Sequence, residues 1–146
     1  MTADETTENP APGFKDHPEY RIGIKEIPKR IRAFFGGNAI ADSTRAVLLN
    51  ETQHRPVYYF PRQDVRLDSL TRTEHVSYCP FKGTAVYWTL GVARQSSENA
   101  VWSYENPFDE VLPIKDWMAF YWDEIDAWYE EDEEVLGSPR DPHVRV

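Results

Sequence analysis

Short runs of β-branched and aromatic residues, interrupted by turn signals about every ten positions, set the tightest limit on what this chain can fold into. That rhythm belongs to a mainly β domain of sandwich or barrel-like form. Arg30–Phe35 runs into Gly36-Gly37-Asn38 and returns as Ala39–Ser43, which reads as a hairpin. Arg45–Leu49 and Pro56–Phe60 are the next strand candidates, turning through Asn50–Gln53, and Thr73–Tyr78, Thr84–Leu90 and Ala100–Tyr104 follow. Between them Asp64 is placed to cap one short helical turn, with Val65 or Leu67 and Leu70 on a common face. Trp117–Tyr129 carries two signals. Trp117, Tyr121, Ile125 and Trp128 fit a helical stripe, whereas the Tyr and Trp content favours a strand, the reading adopted for its first part.

A length of 146 residues suits one domain, and 40% hydrophobic with 14% aromatic residues is enough apolar material for a folded core. Residues 1–16 lack apolar periodicity and are expected to be a disordered leader; 17–136 form the β domain, and 137–146 a flexible tail. No run approaches the roughly 18 apolar residues of a membrane span, and the acidic, polar N-terminus is unlike a signal peptide. Cys79 is the single cysteine, so neither an intramolecular disulfide nor a cysteine-based zinc site can form within one chain. A reducing, cytoplasmic setting is expected. The net charge of −9 argues against nucleic acid or an anionic membrane as partner. Eight carboxylates lie between Asp123 and Glu134 with no Lys or Arg among them, so the acidity is local; such a block is most simply a solvated face.

Chemistry concentrates in two stretches. In Ser77–Trp88 a Pro and Gly turn presents Cys79 and Lys82 three residues apart. An ammonium beside a thiol favours the nucleophilic thiolate, while a buried, inert strand-end cysteine is the structural reading of the same residue. Lys82 before Gly83 also suggests phosphate binding, but without a phosphate-wrapping glycine loop a solvated turn lysine is the favoured account. In Tyr58–Asp64, alternation sends Tyr58 and Phe60 to one face and Tyr59 to the other, with Arg62 and Asp64 just past the strand end. Arg62 beside aromatics suits a planar anion, and a surface pair with Asp64 accounts for it equally well. His17, His54, His75 and His143 show no metal-ligand spacing, so no metal or cofactor is expected.

Five motifs then occur in order: Phe35-Gly36-Gly37 with Ala41-Asp42-Ser43; Tyr59-Phe60-Pro61 with Asp64-Val65; Cys79-Pro80-Phe81-Lys82-Gly83-Thr84-Ala85 with Tyr87; Trp102-Ser103-Tyr104 with Pro107; and Ala119-Phe120-Tyr121. Together, over about residues 17–135, they resemble the bacterial and fungal family known as domain of unknown function 427. The resemblance implies a compact β-tent fold, similar in topology to methionine sulfoxide reductase B and to zinc-binding modules. Those relatives carry paired Cys-x-x-Cys ligands and this chain has one cysteine, so zinc does not carry over. A nucleotidyltransferase label attached to the family finds no Gly-Ser plus paired-aspartate signature here.

The favoured expectation is a domain that binds a small molecule, anionic in character, through Tyr59, Arg62, Asp64, Cys79, Lys82, Tyr87, Trp102 and Tyr104, with Cys79 and Lys82 the candidates should it be an enzyme. The alternative is a non-catalytic interaction module that uses exposed aromatics of 117–129 and the acidic run. Oligomeric state is not legible.

Overall fold

The computed structural model describes residues 8–137. After one α-turn, α1 (Gly13–Asp16), the chain forms β1 (Ile22–Glu26), β2 (Ile31–Phe35), β3 (Asn38–Ser43), β4 (Val47–Glu51) and β5 (Val57–Tyr59). The longest strands follow: β6 (Leu70–Cys79), β7 (Gly83–Val92) and β8 (Gln95–Tyr104), then the short β9 (Met118–Phe120), β10 (Ala127–Glu130) and β11 (Glu133–Glu134). Three antiparallel sheets result, ordered β1-β4-β5, β11-β10-β2-β3 and β6-β7-β8-β9. They remain open and do not close into a barrel. The helical content is α1 plus four 3₁₀ turns, where the sequence suggested one helical turn.

The Gly36-Gly37 hairpin forms as expected, because both glycines take positive φ (58° and 81°), the geometry a two-residue β-turn needs to match the twist of its strands. β1 was not foreseen, and its Ile22–Gly23–Ile24 alternation is the signal that identifies it. The packed chain also begins earlier than residue 17. Ala11 is buried, the Asn9 and Ala11 amides donate to the Asp109 and Glu110 carboxylates, and the Gly13 amide donates to the Pro80 carbonyl at 3.0 Å. The expected leader at 1–7 and tail at 138–146 lie outside the described residues. No helix among those described is long and apolar enough to cross a membrane.

Strand alternation divides the interior in two. Leu48, Tyr58, Phe60, Trp88, Val101, Met118 and Phe120 face the sheet containing β2, β3 and β10, forming a larger core with Ile31, Ala33, Phe35, Ile40 and Trp128. The residues between them on the same strands, Val47, Leu49, Tyr59, Ala85, Tyr87, Tyr104 and Ala119, point the other way and form a second core. At Phe60 and Met118, reciprocal backbone hydrogen bonds of 2.9 Å join the first and third sheets edge to edge. β4-β5 and β7-β8-β9 thus become one curved surface, with the second core on one of its faces.

Candidate functional site

The second core is where the polar chemistry gathers. Its inner end is made by the turn between β6 and β7, in which the Cys79 carbonyl accepts from the Lys82 amide at 3.2 Å, with Pro80 supplying the fixed φ of the second turn position. Gly83 then takes φ +119°, so the chain can double back within 3.4 Å of the Asn106 carbonyl, measured from where a Cβ would stand. This turn aims the Lys82 side chain inward. Its ammonium forms an ion pair with the Glu51 carboxylate at the end of β4, the two side chains being 12% and 6% exposed. The Tyr20 hydroxyl donates to the second Glu51 oxygen, and the Tyr20 ring stacks on Phe81 at 3.8 Å.

Three more tyrosines complete the cluster. The Tyr59 hydroxyl accepts the indole N–H of Trp102 at 3.1 Å, and the Tyr87 hydroxyl lies 2.8 Å from Ser77 Oγ and within hydrogen-bond reach of Tyr121. Tyr104 lies under Lys82, whose Nζ is 6.0 Å from the ring centroid. Burial, first of all, raises the pKa of Tyr20, Tyr59 and Tyr104, and the nearby Glu51 and Cys79 act in the same direction. Tyr121 is pushed up to about 12, by burial and then by Tyr87. These phenols are therefore neutral and available as donors. Trp102 and Tyr121, with ring centroids 4.8 Å apart, form the partly exposed aromatic wall, while Cys79 is half-buried at the other end of the cluster, opposite Gly83 where β6 ends.

Six of the expected residues are thus brought together: Tyr59, Cys79, Lys82, Tyr87, Trp102 and Tyr104. Arg62 and Asp64 are not among them. Arg62 reaches the opposite face of β8, donating to Ser103 Oγ (3.0 Å), Glu105 (3.3 Å) and the Asp116 carbonyl (2.9 Å), with its guanidinium 5.1 Å from the Trp88 ring. Ser103 and Trp102 are sequence neighbours on one strand, so they face opposite ways, and a group bound to Ser103 stands behind the sheet. Asp64 ends a 3₁₀ turn (Arg62–Asp64) and does not cap one; it accepts from Ser43 Oγ at 2.6 Å and approaches Arg45, not Arg62. Nor is Lys82 a solvated turn lysine: its charge is held by Glu51.

Glu51 and Tyr20 were missed. Glu51 was assigned to a turn, although its place at the end of an apolar strand two residues past Leu49 put it on the face of the second core. Among the described residues no three His, Cys, Asp or Glu side chains converge as a metal-binding set. A separate cavity of ≈ 590 Å³ opens at the far end of β4, with Glu26, Arg45, Val47 and Trp117 in its lining.

The family model described as a domain of unknown function (DUF427) matches residues 23–131. The chain belongs to that family. No curated protein matches it. In this DUF427 domain the matched region contains Glu51, Tyr59, Cys79, Lys82, Tyr87, Trp102 and Tyr104, whereas Tyr20 comes from the segment just before it. The aromatics of 117–129 are mostly structural: Trp128 is buried and stacks on Trp122 at 4.5 Å, Phe120 is in the larger core, and only Tyr121 is largely open, at 46%. Part of the acidic run is tied down within the chain, Glu130 to Lys29 and Glu131 to the Arg30 amide.

Proposed function

We propose that this DUF427 domain binds a small, uncharged organic molecule in the second core, against the Trp102 and Tyr121 wall, with Glu51, Lys82 and the tyrosine hydroxyls at its inner end. One observation carries the reading. An ion pair, a thiol and four phenols converge from β4, β5, β6, β7, β8 and the segment before β1, at a place where aliphatic side chains would pack at lower cost. Burying such a set costs desolvation that a core built for stability alone avoids, and aromatic walls with a few converging polar groups are the usual make-up of a ligand site.

The ligand is taken as uncharged because Arg62, the expected anchor for an anion, serves the other face and Glu51 already neutralises Lys82. Adding a net charge to that environment would cost desolvation with nothing to offset it. The reading requires binding only, with Cys79 at the inner end. A docking surface on the 117–129 aromatics finds less support, since most of those rings fill the core.

The test is amide and indole chemical-shift mapping of the native protein against neutral aromatic fragments. Expected are shifts at the Trp102 indole and the amides of Tyr59, Cys79, Lys82 and Tyr104. Shifts confined to the cavity at Trp117, or none across a broad set of fragments, would overturn it.

A further inference from the structure

The cavity at the far end of β4, away from the Glu51–Lys82 pair, has a volume of ≈ 590 Å³, within the range of about 300–1,000 Å³ typical of small-molecule sites. Glu26 and Val47 both line it. They are direct partners in the β1–β4 register, so their side chains leave the sheet on one face, and Val47 belongs to the second core. Trp117 lines it as well, packed against that core from the start of β9. The backbone that carries Trp117 is fixed by the turn before it: Asp116 takes φ +67°, and its carbonyl accepts from Arg62 Nε at 2.9 Å. Ile27 and Pro28 continue the apolar lining.

Two opposite charges border this cavity without meeting. Glu26 has no ion pair among the described residues. Arg45 has one, to Asp64 at 3.5 Å, and the same Asp64 oxygen accepts Ser43 Oγ at the much shorter 2.6 Å. Asp64 thus engages one of the five N–H donors on the Arg45 guanidinium, whose planar fork suits a carboxylate bound through both oxygens. The Arg45 side chain is 55% exposed and Glu26 is exposed, so a ligand can reach both without breaking any contact of the fold.

We infer that this cavity binds a zwitterion of the α-amino-acid class with an apolar side chain, its ammonium on Glu26, its carboxylate on Arg45 and its side chain against Trp117, Val47 and Pro28. A ligand with a single charge answers one of the two bordering groups and repels the other. A zwitterion answers both and brings no net charge, while the indole and aliphatic walls take an apolar side chain. The site is separate from the second-core reading above, with other walls and another indole.

Three probes with the same ring test this on the full chain by chemical-shift mapping: L-phenylalanine, phenethylamine, which lacks the carboxylate, and 3-phenylpropanoate, which lacks the ammonium. L-Phenylalanine is expected to shift the Trp117 indole and the Ile27 and Val47 amides, and to bind at least about threefold more tightly than either half, the increment of one partly exposed ion pair. Two surface variants separate the charges. In Glu26→Gln the affinity for L-phenylalanine should fall to that for 3-phenylpropanoate, which does not weaken; in Arg45→Gln it should fall to that for phenethylamine, which likewise does not weaken. An unmoved Trp117 indole, L-phenylalanine binding no more tightly than either half, or a preference for it that survives both substitutions would each overturn the inference. Shifts at the Trp102 indole with Trp117 unmoved would overturn it while leaving the second-core reading in place.

Discussion

The Lys82 ammonium and the Glu51 carboxylate meet inside the second core and fasten the turn between β6 and β7 to the end of β4. Both side chains are nearly buried, so removing one partner leaves the other charge without compensation, a change that costs about 3–5 kcal/mol. Lys82→Ala should therefore unfold in urea well before the native chain, and Lys82→Met with Glu51→Leu should recover most of the loss. A double variant as unstable as the single would show that the pair contributes through something other than charge.

Arg62 offers a contrast. Its guanidinium joins Ser103, Glu105 and the Asp116 carbonyl behind the sheet, so Arg62→Ala should lower stability by about 1.5–3 kcal/mol while fragment shifts at Trp102 stay as they are. Loss of fragment binding in a folded Arg62→Ala protein would return Arg62 to the site.

At high pH the phenols govern stability. Tyr20, Tyr58, Tyr59, Tyr104 and Tyr121 all have pKa values raised above 10.0, with burial the leading cause. A raised folded-state value means the folded chain holds protons that the unfolded chain releases. This contribution is complete below about pH 10 and is lost as pH climbs through the folded values, first at Tyr121 near 12. Ultraviolet titration should show the buried Tyr58, Tyr59 and Tyr104 ionising only with alkaline unfolding. Reversible ionisation of all 8 tyrosines near pH 10 would contradict the packing.

Gly13 and Gly83 are both intolerant of a side chain, for different reasons. A Cβ at Gly13 would stand 2.7 Å from the Phe81 ring, so Gly13→Ala should overpack the contact by about 1–3 kcal/mol and speed amide exchange over residues 11–17. At Gly83 the difficulty is the backbone: φ is +119°, and Gly83→Ala should cost about 1–3 kcal/mol by straining the turn that carries Lys82. Unchanged urea midpoints in both would mean the turn adapts freely.

Much of the fold is legible because strands and two-residue turns are encoded locally. Gly36-Gly37, the Pro80 and Gly83 turn, and the opposed directions of Tyr58 and Tyr59 follow from neighbours in the chain. Five of the six residues brought together, Tyr59, Cys79, Tyr87, Trp102 and Tyr104, lie on strands, and Lys82 lies on the turn that joins two of them. Glu51 and Lys82 are 31 residues apart, and no local pattern says that a carboxylate on one strand will meet an amine on a distant turn. Arg62 and Asp64 failed at a strand end, where alternation stops and a 3₁₀ turn redirects both side chains.

The bridge between Phe60 and Met118 joins the two walls of the site along one edge. Along their shared edge β5 and β9 meet at a single rung, whereas the Glu51–Lys82 clasp closes the other end. The arrangement is that of a book with a one-stitch spine and a buckle. With Tyr59 and Tyr87 packed in one core between them, the covers are held at both ends, and the buckle is the end fastened by side chains alone.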